Sequence, residues 1–125
     1  MKHKVAEIDG ALLDAAVALA EGIPHRLVDV GGEGLTSKRC FRLEASRVGE
    51  RGFPFAPSQI WNFGGPIIER ERISVLFTGG VRGRDQWEAY PTPSDPSNQC
   101  DGPTPLIAAM RAFVKSKLGD EVDLP

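Results

Sequence analysis

The chain has 125 residues, 41% of them apolar and 26% charged, the profile of one globular domain (1–125) rather than of a disordered segment. A net charge of −2 lacks the strong positive field that displaces phosphate counterions, so nucleic acid is not an expected partner, although a local patch remains open. No run approaches the ~20 apolar residues of a membrane helix, and Glu7, Asp9 and Asp14 interrupt the stretch after the basic start MKHK, so neither a membrane nor a signal peptide is expected. The expected compartment is the cytoplasm. The cysteines Cys40 and Cys100 match no metal-binding spacing and are expected as reduced thiols, with a disulfide as the alternative.

In chain order, IDGALLDAAVALAEGI (8–23) predicts a helix. Asp9 is placed as N-cap, Ile8 and Leu13 as a hydrophobic staple, and Gly22 as a left-handed terminator. HRLVDV (25–30) and SKRCFRLEA (37–45) read as strands, the second alternating Cys40 and Arg42 on one face with Phe41 and Leu43 on the other. RGFPFAPS (51–58) carries prolines that interrupt a ladder and is expected as a surface connection, with Ser58 capping a short turn through Trp61. ISVLF (73–77) reads as a strand buried on both faces, TGGVRGRD (78–85) as a long turn, and QWEAY (86–90) as the return strand with Trp87 in the core. PTPSDPSNQCDGP (91–103) is expected as a loop. TPLIAAMRAFVKSKLG (104–119) predicts a second helix: Thr104 caps it, Pro105 takes the first position, Leu106, Ile107, Met110, Phe113, Val114 and Leu118 form its stripe, and Gly119 stops it.

The fold class that follows is α+β, a small antiparallel sheet of three to four strands packed by two amphipathic helices, about 10–21 and 105–118. Both helices carry alanine where a surface helix would carry charge: Ala11, Ala15 and Ala18, and Ala108, Ala109 and Ala112. This is either helix propensity alone or a second packed face, against the other helix or a second subunit in a homo-oligomer.

The segments GALLDAAVALAEG, WNFGGPIIERERI, QWEAY and GPTPLIAAMRAFVKSKLGDEV resemble the NinX-type proteins of lambdoid and related phages and prophages. The resemblance covers nearly the whole chain and is most specific at GPTPLIAAMR. It implies a phage or prophage accessory protein acting in the bacterial host, and it brings no catalytic residues and no cofactor.

SQIWNFGGPIIERERI (58–73) raises the main functional question. A phosphate loop needs free amides followed by Lys and Ser/Thr; here Gly64 and Gly65 are followed by Pro66, which has no amide, and the Lys-Ser/Thr pair is absent. The doublet is therefore expected to bend the chain, with Pro66 opening a new helical turn. A recognition loop is the other reading, with Trp61 and Phe63 as anchors rimmed by Arg70 and Arg72, and the candidate partner surface is Trp61, Phe63, Gly64, Gly65, Arg70 and Arg72, for a host or phage protein. Competing readings are a metal-dependent hydrolase or nuclease through Glu69 and Glu71 with Asp85 or Asp101, and a nucleic-acid accessory binder through Lys38, Arg39, Arg82 and Arg84. His3 lies at a terminus expected to fray, and His25 with Asp29 reads as a strand-edge pair. The chain holds no G-x-S-x-G elbow, and its reading leans away from an enzyme.

Overall fold

The computed structural model describes residues 1–29, 38–80, 83–91 and 96–125. Among these, eight strands form three small antiparallel sheets that pack with three helices, an α+β fold. In chain order they are β1 (Lys2–Lys4), α1 (Gly10–Glu21), β2 (His25–Asp29), β3 (Lys38–Ser46), β4 (Gly49–Pro54), α2 (Trp61–Glu71), β5 (Ser74–Phe77), β6 (Trp87–Tyr90), β7 (Cys100–Gly102), α3 (Pro105–Leu118) and β8 (Glu121–Asp123), with a 3-10 turn at Pro96–Asn98 before β7.

The two anticipated helices form where their end signals put them. The Thr104 hydroxyl accepts from the Ile107 N–H at 3.1 Å, and Pro105 occupies the first turn of α3. Gly22 takes φ 71°, and the Ile23 N–H reaches back to the Ala18 carbonyl at 2.9 Å, closing α1 with a Schellman turn. Asp9 has the extended backbone of an N-cap, but its side chain makes no capping bond.

Both helices are buried far beyond one stripe. Leu13 through Ala18 and Ala108 through Val114 are continuous buried runs. α1 packs against α3, β2 and β3, while α3 also meets α2 and the β5-β6-β7 sheet. Ala15, Ala18, Ala108, Ala109 and Ala112 are fully buried within the chain, so the alanine faces admit close neighbours from this fold. Gly102 serves the same end in β7: a Cβ there would lie 2.4 Å from the Ala108 nitrogen.

Four expectations are corrected. Residues 49–54 are a strand and not a connection, because β4 is the outer strand of the order β2-β3-β4 and Pro54 is its last residue, where a missing amide breaks no ladder. β5 is not buried on both faces; it is an outer strand, with Leu76 and Phe77 53% and 64% exposed, although Trp87 packs edge-on to Phe77. The proline-rich loop contains β7, which pairs with β6. The terminus bearing His3 is paired, His3 standing opposite Val122 in the β1–β8 ladder. Two further differences, at Ser58 and at the glycine doublet, belong to the site. The GGEG segment (31–34) and Arg82 lie outside the described residues.

Candidate functional site

The segment from Phe55 to Arg72 builds a ledge on the molecule. Phe55 closes the β3–β4 pairing by donating its N–H to the Cys40 carbonyl at 3.0 Å. The chain then turns: the Gln59 and Ile60 amides both donate to the Ala56 carbonyl, at 3.0 and 2.9 Å. Ser58 does not cap this turn. Its N–H donates instead to Asp14 Oδ1 at 2.7 Å, Gln59 Nε2 donates to Asp14 Oδ2 at 2.8 Å, and the Ser58 hydroxyl reaches the Gly10 carbonyl at 3.3 Å. A buried carboxylate of α1 thus clamps the turn that launches α2. Burial raises the Asp14 pKa above the usual carboxylate range, against the lowering effect of these bonds.

The doublet Gly64-Gly65 is neither an anion cradle nor a bend. Both glycines lie within α2, and Pro66 is an internal helical residue rather than the start of a turn. Its missing amide leaves the carbonyl one turn earlier, on exposed Asn62, to solvent. The two glycines do different things. A Cβ on Gly64 would sit 2.3 Å from the Pro57 carbonyl oxygen and 2.6 Å from Leu106 Cδ2, so only glycine lets α2 lie this close to the turn and to α3. Gly65 meets nothing nearer than the Trp61 ring at 3.9 Å.

The six candidate residues separate accordingly. Trp61 is 55% exposed at the start of α2, beside Ile60 at 45%. Phe63 and Gly64 face inward, Phe63 packing on the core with its ring edge-on to Phe55 at 6.1 Å. Arg70 lies roughly 14 Å along the helix from Trp61, bound to Glu21 of α1 and to Glu71 at 3.1 Å. The Glu21 hydrogen bond raises the Arg70 pKa, and Arg70, followed by Lys117, holds the Glu71 carboxyl below its usual range. Arg72 adopts the left-handed φ of 55° that ends the helix. Trp61 therefore stands exposed at one end of α2, while Arg70 ties the other end to Glu21 of α1.

Between Trp61 and the start of α3 runs a groove of about 300 Å³, with Ser58 and Gln59 on one wall and Thr104, Pro105, Leu106 and Ile107 on the other. The sequence reading missed Gln59, Ile60 and Asp14 as contributors. Asp14 left one legible mark, an acid in the middle of the apolar run LLDAAVALA.

The acidic candidates do not converge. Glu69 is exposed, Glu71 is held by Arg70 and Lys117, Asp101 of β7 accepts from Gln99, and Asp85 lies 3.5 Å from Arg111. Among the described residues no three His, Cys, Asp or Glu side chains are grouped to hold a metal ion. The basic candidates separate too: Lys38 and Arg39 open β3, while Arg84 pairs with Glu88 of β6 at 3.6 Å. His25 Nδ1 meets the Ile23 carbonyl at 3.0 Å, and Asp29 stands at the opposite end of β2. Both cysteines are free and buried.

The model of the family described as Bacteriophage P22, NinX matches residues 4–117, a span that takes in the Asp14 clamp, the ledge and nearly all of α3. The chain belongs to the NinX family. None of the curated proteins compared with this NinX chain matches it. Among the described residues no helix of the NinX chain is long and apolar enough to cross a membrane.

Proposed function

We propose that this NinX-family chain is a non-catalytic phage accessory protein that acts in the bacterial cytoplasm by binding a host or phage protein through the Trp61 ledge. The observation that carries this reading is the exposure of Trp61 beside Ile60 at the mouth of an apolar-walled groove. A tryptophan held on a helix that is pinned at both ends loses little conformational freedom on contact, which suits a binding hot spot. The Asp14 clamp supports the reading, because it presets the groove wall formed by Ser58 and Gln59. Arg70 and Arg72 stand at the far end of α2, as a rim rather than as anchors.

The test is affinity capture from phage-infected cells with the parent chain and with Trp61→Ala. The parent is expected to recover a defined complex, and the variant to lose it by roughly 30-fold or more, the effect of a tryptophan hot spot, with an unchanged melting temperature. A complex that survives the substitution removes the ledge as the contact surface. Recovery of nothing above background counts against a binding role.

A further inference from the structure

The β3–β4 hairpin carries a second surface. Every residue from Glu44 to Gly52 is exposed, on both faces of the two-stranded ribbon, and Val48 at its tip is 94% exposed. Ser46 pairs with Gly49, so the loop is only Arg47 and Val48, and the ladder continues inward through Ala45–Glu50 and Glu44–Arg51. The outer part of the ribbon is thus a solvent-exposed arm, tied to β2 by the Arg26–Glu50 ion pair. Isolated two-stranded ribbons are marginal in water, so the arm lacks the burial that normally holds such a hairpin.

Its charge runs against that of the molecule. Between Lys38 and Pro54 stand five basic side chains (Lys38, Arg39, Arg42, Arg47, Arg51) and two acidic ones (Glu44, Glu50), a net +3 in a chain of total −2. Both acids are already paired, Glu44 with Arg42 and Glu50 with Arg26 at 3.3 Å. Lys38, Arg39, Arg47 and Arg51 have no ion pair among the described residues, although the Arg51 guanidinium lies over the Phe53 ring, 6.0 Å from its centroid. Whole-chain charge conceals this concentration, because the acidic excess lies elsewhere in the molecule.

We propose that the arm is a duplex-DNA contact that inserts in the major groove, with Arg47 and Arg51 on phosphates and Val48 leading. Two paired strands about 4.8 Å apart, with their side chains, match a groove ≈ 12 Å wide, which admits a two-stranded ribbon. The A-form major groove of duplex RNA is too deep and narrow for side chains to read, so the fit selects DNA. Arg47 and Arg51 supply the sequence-independent phosphate attraction that sets affinity, and the apolar tip meets the thymine methyl edge. This surface is separate from the Trp61 ledge and independent of the protein-binding reading.

The test is fluorescence anisotropy of a labelled duplex DNA of about 25 base pairs with the full chain, at salt from about 20 to about 200 mM. The two phosphate contacts of the arm, Arg47 and Arg51, predict a log–log salt slope of about −2. The double variant Arg47→Ala/Arg51→Ala is expected to flatten that slope by about 2 while keeping its melting temperature, since neither side chain is buried. Three results overturn the proposal: no binding at the lowest salt, a slope the double variant leaves unchanged, or equal binding to a duplex RNA of the same length. Loss of protein capture by the arm variant, without a DNA signal in the parent, assigns the arm to a protein partner instead. A failure here leaves the Trp61 capture result untouched, and the converse also holds.

Discussion

Asp14 and Ser58, far apart in the chain, meet through a hydrogen bond of 2.7 Å from the Ser58 backbone to the Asp14 carboxylate, with the Asp14 side chain buried in α1. That contact sets the turn before α2 and therefore the direction in which Trp61 leaves the body of the protein. Its energetics have a defined sign. Burial raises the Asp14 pKa, so the folded chain keeps this proton at pH values where the unfolded chain has released it. The contribution is fully present below the ordinary aspartate range and is lost as pH rises through the folded-state value.

Asp14→Asn is accordingly expected to flatten the stability–pH profile across that window and to be no less stable than the parent at neutral pH, the Gln59 amide turning its oxygen toward the new amide. Asp14→Leu leaves the Ser58 N–H buried without an acceptor and is expected to lose about 1–3 kcal/mol. Urea unfolding of the three proteins between acidic and neutral pH decides it. An Asn variant as damaged as the Leu variant rules out this account.

The adjacent glycines of α2 predict opposite outcomes for the same substitution. Gly64→Ala drives a methyl into the Pro57 carbonyl and Leu106 and is expected to destabilise by about 2–3 kcal/mol or more. Gly65→Ala has room and gains helix propensity, for a stabilisation of up to about 1 kcal/mol. Melting temperatures that move in the same direction for both refute the assignment of the doublet to helix packing.

Arg111 joins three parts of the fold. Its Nε donates to the Ile8 carbonyl and its Nη1 to the Asp101 carbonyl, each at 2.9 Å, and Nη1 lies 3.5 Å from Asp85, with the side chain 7% exposed. Arg111→Met keeps the length and removes the donors, and is expected to lose about 3 kcal/mol or more. Arg111→Lys is expected to recover only part, since a single ammonium cannot reproduce the planar fork. A Met variant within about 1 kcal/mol of the parent in denaturant unfolding contradicts this role.

The thiols should be inert while the chain is folded. Burial, with the Asp14 charge second, pushes Cys40 up to about 12, and burial also raises Cys100. An aromatic disulfide reagent at mildly alkaline pH should leave both cysteines unmodified in the native protein and label both in denaturant, because only the thiolate attacks. Rapid labelling of one thiol without denaturant shows that its pocket opens.

The sequence alone determined whatever depends on near neighbours. α1 and α3, with the cap at Thr104 and the terminators Gly22 and Gly119, the strands β2, β3 and β6, and the NinX resemblance were all legible, because helical spacing, caps and alternation are written within a few residues. Tertiary structure decided the rest. Gly64 is glycine because Pro57 and Leu106 come within contact of it, and a Gly-Gly-Pro string read locally predicts a bend. Pro54 fits a strand because β4 has a partner on one side only, and β5 is exposed despite its apolar sequence because it is an outer strand. Asp14 became a clamp only when Ser58 and Gln59 arrived to hydrogen-bond it. The common reason is that a residue's own preferences set its local conformation, while the atoms that press on it come from remote parts of the chain.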